Sequence, residues 1–548
     1  MKMMKKQCNP TTLFMTSLLL LLTLPACSQQ HPVQIKTTDT TIRKWDQTIP
    51  GNFSSQTKAT FDSTRIKLFL NRYPAFKPYS KAINTFYSHR NYAYAWFENG
   101  RLIEQASNLT NRLLNFQHEG VAQSLPYQLR LDSLMFVEEP VNKRPDTELE
   151  LMLTAQYFAF SRLAWTGQDA AVSRSLNWNL PRKRVDYEQY LDSLIDTRSF
   201  DFDAGGPVYR QYELLRKYLI KYHTLANENW PEIRVPFKLG YGDTSEVIQT
   251  VKARLFKLAD FEGDTIGTQY NEALVIAVKR FQDRHGLTVN GMLNKETLTE
   301  LNVPIQQRVQ QIMVNMERNR WLPVRLNGDY LAVNIPEFKL HVYHADTLLW
   351  SCNVVVGQTM HRTSIFYGEV KYVVFRPYWN IPAGILRKEV LPAMRRDPGY
   401  LAAHRMEITG YRNGLPVIRQ RPGSDNALGL VKFLFPNSYN IYLHDTPSKS
   451  LFGETSRAFS HGCIRVSEPA RLAGFLLKDR EGWTPQRIEQ QMNKGPEKVI
   501  TLGHAIPVFI AYFTAFVDRN NQLNFRKDIY DFDGPLADAL MSSNQVVR

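Results

Sequence analysis

From Thr60 to about Trp230 apolar residues recur at three- and four-residue spacing, as in FYSHRNYAYAWFENGRLIEQASNLTNRLLNFQHEG and LELMLTAQYFAFSRLAW. That spacing predicts helices that each bury one face. Gly120 is placed to end one of them, and Phe86, Tyr87, Tyr92, Tyr94, Trp96 and Phe97 read as core. A second helical unit runs over 237–302. In its AVKRFQDRHGLTVNG segment Ala277, Val278, Phe281 and Leu287 share a face, Gly286 stops the helix, and Asn290-Gly291 makes a turn. From about Arg308 the period drops to two. YLAVNIPEFKLHVYHADTLLWSCNVVVGQ alternates apolar and polar positions with β-branched and aromatic residues, and KYVVFRPYWNIP and SYNIYLHDTP read as further strands. Residues 384–430, helical at first and then rich in Gly, Pro and Arg, interrupt this β region as an insertion long enough to be a lid over a cleft.

The first residues do not belong to that pattern. MKMMKK is a basic start, LFMTSLLLLLTL is too short to span a bilayer, and small residues follow in PACSQQ, which together describe a secretory signal. LPAC resembles a bacterial lipoprotein box, so residues 1–27 are expected to be a signal peptide with Cys27 lipidated, and the polar residues 28–59 a tether. With 548 residues the chain is long enough for about three domains, and 43% hydrophobic with 22% charged residues is ordinary for folded protein. The formal charge of +15 admits nucleic acid, anionic lipid or an acidic wall polymer as partner; the export signal turns that choice away from nucleic acid.

Four cysteines then become two. Cys8 would lie in the signal and Cys27 would carry the lipid, leaving Cys352 and Cys463 in the exported body, both expected to be free thiols. Cys463 sits in AFSHGCIRVSEP, between His461 and Arg465. A thiol of ordinary pKa is mostly protonated at neutral pH, so a nucleophilic cysteine needs a base or a positive field beside it. His444, at the end of a predicted strand 19 residues upstream, is placed to be that base. His461 is nearer in sequence, and on an extended segment it would share a side with Cys463, which suits a substrate contact better than proton transfer. No C-x-x-C or H-x-x-x-H spacing supports a zinc site, so neither metal nor cofactor is expected.

The constellation His444-Asp445-Thr446 with Ser460-His461-Gly462-Cys463-Ile464-Arg465 resembles the L,D-transpeptidase family, whose YkuD-type catalytic domain carries an H-x-T segment and an S-H-G-C-I-R signature. NMERNRWLP, VVVGQTMHRT, PYWNIP, RQRPGSDNALGLVKFLFPNSYNIYLHDTP and LNFRKDIYDFD extend the likeness to its large periplasmic members. AVKRFQDRHGLTVNGMLNKETLTELN likewise resembles a three-helix peptidoglycan-binding domain, with Asn290 and Asn294 where that pattern has Asp and Gly. The fold implied is multidomain α+β: a helical scaffold at 60–236, a small peptidoglycan-binding-like domain at 237–304 and a mainly-β catalytic domain at 308–548 with the lid at 384–430.

By the same resemblance Cys463 is the nucleophile, His444 its general base, the Asp445 carbonyl the orienter of the imidazole, and the N–H groups of Gly462 and Cys463 the oxyanion donors. His461, Ser460 and Tyr442 are expected to meet substrate; Arg465 either organises the loop or pairs with a substrate carboxylate. The implied reaction joins peptidoglycan stem peptides 3→3 through a thioester, with release of terminal D-alanine. L,D-carboxypeptidase action, tethering of a protein to the wall, and a non-catalytic wall-binding lipoprotein remain alternatives. The expected partners are stem peptides, glycan and a bacterial membrane, on the periplasmic side of the envelope.

Overall fold

The computed structural model describes residues 59–135, 144–196, 206–235 and 238–542. The expected signal peptide, Cys27 and the tether up to residue 58 lie outside the described residues.

The helical region comprises α1 (Thr64–Arg72), α2 (Ser80–His89), α3 (Glu104–Leu114), α4 (Gln128–Met135), α5 (Thr147–Phe160), α6 (Ala170–Ser175), α7 (Tyr187–Asp196) and α8 (Arg210–Ala226). One continuous helical pattern was expected through 86–120, and the structure corrects it. α2 stops at His89, and a hairpin of β1 (Phe97–Glu98) and β2 (Arg101–Leu102) precedes α3. Asn99 and Gly100 turn it with φ of 51° and 77°, the positive pair that a two-residue hairpin requires. Behind the approach to this hairpin lies buried Glu150 of α5, which accepts from the N–H groups of Ala95 (2.6 Å) and Trp96 (3.0 Å) and from the Tyr87 hydroxyl (2.7 Å). Gly120 adopts φ 65° just after a 3₁₀ turn, so it ends the helical run as its position suggested.

Two distant segments complete the scaffold. Ala515, Val517, Leu523 and Phe525 belong to its core, with Phe525 against Tyr222 at 5.8 Å. In the opposite direction, β3 (Trp178–Asn179) leaves the helical region to pair with a strand of the catalytic sheet.

The small module packs α9 (Val247–Lys257), α10 (Glu272–Arg284) and α11 (Lys295–Leu301) around Ile248, Val251, Leu274, Val278 and Phe281. Its two departures from the family pattern are local devices. Asn294 caps α11 by accepting from the Thr297 N–H (2.9 Å), and Asn290 accepts from the Met292 N–H (2.9 Å) inside the turn. α12 (Ile305–Trp321) then joins the scaffold to the catalytic domain. Fully buried Arg320 donates to the Ala164 carbonyl (2.8 Å) and pairs with Glu317 (2.5 Å), which also accepts from the Gln168 N–H and Trp321 Nε1. Such a charge is tolerable inside a protein only with all of these partners.

In the catalytic domain β4 (Asp329–Asn334), β5 (Lys339–His344), β6 (Thr347–Gly357) and β7 (Ile365–Phe375) come first, and β8 (Trp379–Asn380) leads into the insertion. The insertion is a unit of its own. α13 (Ala383–Ile385), a π turn over Leu386–Val390, α14 (Leu391–Arg396) and α15 (Tyr400–Ala403) pack through Leu386 and Val390 on Ile418, within a three-stranded sheet of β8, β10 (Leu415–Gln420) and β9 (Met406–Arg412). The chain returns through β11 (Val431–Leu434), β12 (Leu443–His444), β13 (Ala458–Ser460) and β14 (Ile464–Val466), then α16 (Pro469–Leu476), α17 (Pro485–Asn493), β15 (Lys498–Ala511), β16 (Ala515–Val517), β17 (Leu523–Phe525) and α18 (Asp533–Ser542).

The main sheet runs β11-β12-β14-β6-β5-β4-β15-β7-β3, and β11 also pairs with β7, so the pairings close into a ring around Val333, Val354, Val373 and Ile510. SYNIYLHDTP was read as a strand, yet only Leu443–His444 is one. The Asn437 amide instead holds a turn, accepting from the Tyr439 and Ile441 N–H groups and donating to the Ile441 carbonyl, while Asn440 takes φ 55°.

Candidate active site

Parallel pairing of β12 with β14 sets Leu443 opposite Ile464 and His444 opposite Arg465, with the Ile464 N–H on the Tyr442 carbonyl (3.1 Å). Cys463 therefore stands at the mouth of β14, beside Tyr442 and one register step from His444. Gly462 has φ 113°, so the segment is not extended as the sequence reading supposed. His461 and Cys463 accordingly have separate surroundings: His461 meets the lid, whereas the thiol donates to the Asn440 carbonyl (3.6 Å).

His444 is 4% exposed, and its Nδ1 faces the Asp445 carbonyl. A carbonyl only accepts, so Nδ1 bears the proton and Nε2 is left as the basic nitrogen. Burial first and the Arg465 charge second push its pKa down to about 3, although the carbonyls of Asp445 and Leu428 favour the protonated ring. Burial also raises the Cys463 thiol, opposed by hydrogen bonding from Tyr442 and by Arg465. The Tyr442 phenol is raised by burial and by that thiol, and its ring lies 5.6 Å from the imidazole. The resting pair is thus a neutral thiol and a neutral imidazole.

Asp445 is fixed on three sides. Its N–H donates to the Val431 carbonyl (2.9 Å), its carboxylate accepts from the Leu430 N–H (2.9 Å), and Lys449 pairs with the same carboxylate. Gly429, at φ 62°, passes so close that a Cβ there would lie 2.4 Å from the Asp445 carboxylate.

The loop before the thiol is braced through groups the sequence reading did not single out. The Thr363 hydroxyl donates to the Gly462 carbonyl (2.8 Å) and accepts from the Gly357 N–H (2.9 Å). The Tyr530 hydroxyl accepts from the Thr363 N–H (3.1 Å) and donates to the Gly357 carbonyl (2.5 Å). Thr363 lies 99 residues from Gly462 and 167 from Tyr530, so no local pattern announces the brace. Buried Ser460 was expected to meet substrate; it instead donates to the Cys463 carbonyl (2.5 Å) and accepts from the Gly462 N–H (3.1 Å). Gly462, expected as an oxyanion donor, has its N–H committed there. The Cys463 N–H has no partner among the described residues and is the open donor.

Arg465 is half-buried, and its Nε has no hydrogen-bond partner. Cys352 lies buried in β6 with its thiol pushed up to about 11 by burial; both described cysteines are free. His461 packs 5.1 Å from the His361 ring and pairs with Glu389 of the lid (3.0 Å).

Comparison with known proteins bears on this arrangement. Residues 328–496 match the YkuD family, described as "L,D-transpeptidase catalytic domain", residues 81–219 a "Scaffold domain" and residues 244–301 a "Putative peptidoglycan binding domain". The chain is similar to a "Putative L,D-transpeptidase" of Haemophilus influenzae, 34% identical over 239 residues, which are 41% of this chain and 48% of that protein. The match therefore spans about half the length of that relative. Among solved structures, likeness extends to an L,D-transpeptidase of Xylanimonas cellulosilytica (14% identity, 51% of this chain and 99% of that chain, TM-score 0.17) and one of Stackebrandtia nassauensis (14%, 52% and 97%, TM-score 0.21). One polypeptide thus carries a YkuD-type L,D-transpeptidase catalytic domain, a scaffold domain and a peptidoglycan-binding-like domain.

Proposed function

We propose that this protein is a peptidoglycan L,D-transpeptidase that makes 3→3 cross-links through a thioester on Cys463. The observation that carries the reading is the β12–β14 pairing, which sets a buried, carbonyl-oriented His444 beside the strand mouth that bears the thiol. In the first half-reaction Cys463 Sγ adds to the carbonyl of the third residue, a diamino acid, of a tetrapeptide stem. His444 Nε2 takes the thiol proton, the Cys463 N–H supports the oxyanion, and the bond to terminal D-alanine breaks as His444 returns the proton to the leaving amine. In the second half an amine of another stem adds to the thioester carbonyl, the C–S bond breaks, and the amine proton passes by way of His444 to the sulfur. Because the thioester retains the energy of the cleaved peptide bond, no nucleotide is consumed.

The resting thiol bonds to Asn440 rather than to the imidazole, so attack includes a rotation of the Cys463 side chain toward Nε2, a tightening common when substrate binds. Arg465, unpartnered at Nε beside both groups, suits a substrate carboxylate. The peptidoglycan-binding-like module fits glycan as partner, and a lipid on Cys27 would hold the protein at a membrane on the periplasmic side. Labelling with a radioactive fatty acid, present in the native chain and lost in Cys27→Ala, checks that last point.

The test is product analysis by mass spectrometry after incubation of disaccharide-tetrapeptide with the chain and with Cys463→Ala. Cross-linked dimers and free D-alanine are expected with the native chain and neither with the variant. Tripeptide without dimers would convert the reading to an L,D-carboxypeptidase, and full activity of Cys463→Ala would overturn it.

A further inference from the structure

The floor beside Cys463 and His444 carries cationic side chains. Arg465 stands beside the thiol and the imidazole, and Lys432 lies close enough to act on His444. Such a floor attracts the carboxylates of a donor stem and repels an ammonium ion. The second half-reaction nevertheless needs an amine, which in free solution is an ammonium.

The lid supplies the missing sign. Residues 384–430 carry eight Lys and Arg against four carboxylates, Glu389, Asp397, Glu407 and Asp425. Three of the four are spent on the lid itself: Glu407 on Arg419 and Arg421, Asp425 on Arg405, and Asp397 on the Gly399 N–H. Glu389 is the one of the four whose partner among the described residues lies outside the lid, although Arg387 and Lys388 directly precede it. Its carboxylate reaches out of the π turn to His461 Nε2 at 3.0 Å, two residues from the nucleophile. Both side chains remain open to solvent, Glu389 at 52% and His461 at 42%. An ion pair this exposed is held weakly and exchanges readily.

On the reading of the protein as a transpeptidase, we infer that Glu389 is the residue that gathers the ammonium of the acceptor stem, with His461 occupying its carboxylate until the acceptor arrives. An imidazole is charged only when protonated, whereas an alkylammonium carries a full charge and three donors, so the acceptor displaces it with a gain in Coulomb attraction. The ammonium then gives one proton to solvent water as it advances, and the neutral amine that remains attacks the thioester carbonyl. Glu389 acts on acceptor binding, and the lid thereby selects amines in preference to water.

The two halves are read separately with the full chain, using disaccharide-tetrapeptide as donor and acceptor. Thioester formation and D-alanine release report the first half; dimer yield against acceptor concentration, with hydrolysed tripeptide as competitor, reports the second. Glu389→Gln is expected to raise the acceptor KM about fivefold, the order of effect of one exposed charge pair, and to shift product from dimer to tripeptide. Glu389→Asp should recover part of that loss, and His461→Ala should lower the acceptor KM because the carboxylate is vacated. An unchanged acceptor KM in Glu389→Gln, with thioester still forming, overturns the assignment of Glu389 and leaves the transpeptidase reading standing. Equal rises in Glu389→Gln and His461→Ala also overturn it, since a plain clasp between lid and loop predicts them. Absence of thioester or of any dimer in the native chain overturns both.

Discussion

The Thr363 hydroxyl donates to the Gly462 carbonyl at 2.8 Å, tying the turn before the thiol to a loop 99 residues upstream. Because the same oxygen accepts from the Gly357 N–H, removing it strands a donor and an acceptor in the interior. Thr363→Val should cost about 2 kcal/mol of stability and about tenfold in kcat, with KM nearly unchanged, whereas Thr363→Ser should keep both. Denaturant unfolding and steady-state D-alanine release check this; a silent Thr363→Val would mean that the turn holds its shape alone.

Gly429 governs His444 at one remove. A methyl group at 2.4 Å from the Asp445 carboxylate, on a backbone at φ 62°, forces Asp445 and its carbonyl away from the imidazole. Gly429→Ala is expected to destabilise the fold by about 2 kcal/mol and to depress kcat more than the Thr363 change. A crystal structure with the imidazole unmoved and full activity would contradict this.

The resting state is a neutral pair, and pH reports it. Burial raises the Cys463 thiol, so the thiolate fraction keeps increasing with pH past the ordinary thiol range near 8.5. Alkylation by iodoacetamide, followed by intact mass, should climb steadily from pH 6 to 10. Arg465→Ala, which removes a charge that lowers the thiol, should move the rise further upward. His444, pushed down to about 3, gains its proton only in strong acid, so it contributes no acid limb to kcat/KM between pH 5 and 7. A plateau of alkylation at neutral pH would instead indicate a preformed thiolate–imidazolium pair.

Glu150 makes the scaffold's stability depend on pH. Burial raises its carboxyl from 4.5 to about 7, despite the hydrogen bonds from Ala95, Tyr87 and Trp96 that favour its charged form. The folded state therefore binds a proton over the window in which the unfolded chain has released it. That contribution is fully present below pH 4.5 and is lost as pH rises to 7, about 3 kcal/mol in all. Thermal unfolding of Glu150→Gln relative to the native chain should show the variant gaining over that window, and parallel curves would exclude the effect.

Much of this was legible in the chain. The meeting of the His444 strand with the Cys463 segment was legible because the motif concentrates chemistry in a few residues, and the change from period 3.6 to period 2 marked where helices give way to sheet. The helical reading across Tyr92–Ile103 failed because aromatic core residues in a tight turn mimic helical spacing; Asn99-Gly100 was the available signal. Thr363 and Tyr530 were not legible as braces, since their partners are fixed by sheet closure rather than by neighbouring sequence. Ser460 looked like a substrate contact for the opposite reason: it lies in the motif, but its hydroxyl turns back on the loop.

β15 lies between β4 and β7, and the segment directly after it supplies Ala515, Val517, Leu523 and Phe525 to the scaffold core. As the chain emerges from its N-terminus, both compartments stay unfinished until residues 498–525 arrive. Assembly is thus a single late event of high contact order, in which the barrel closes and the helical core is sealed by one stretch of polypeptide. A chain truncated before residue 498 would therefore leave the scaffold core unsealed and the sheet that sets His444 beside Cys463 unclosed.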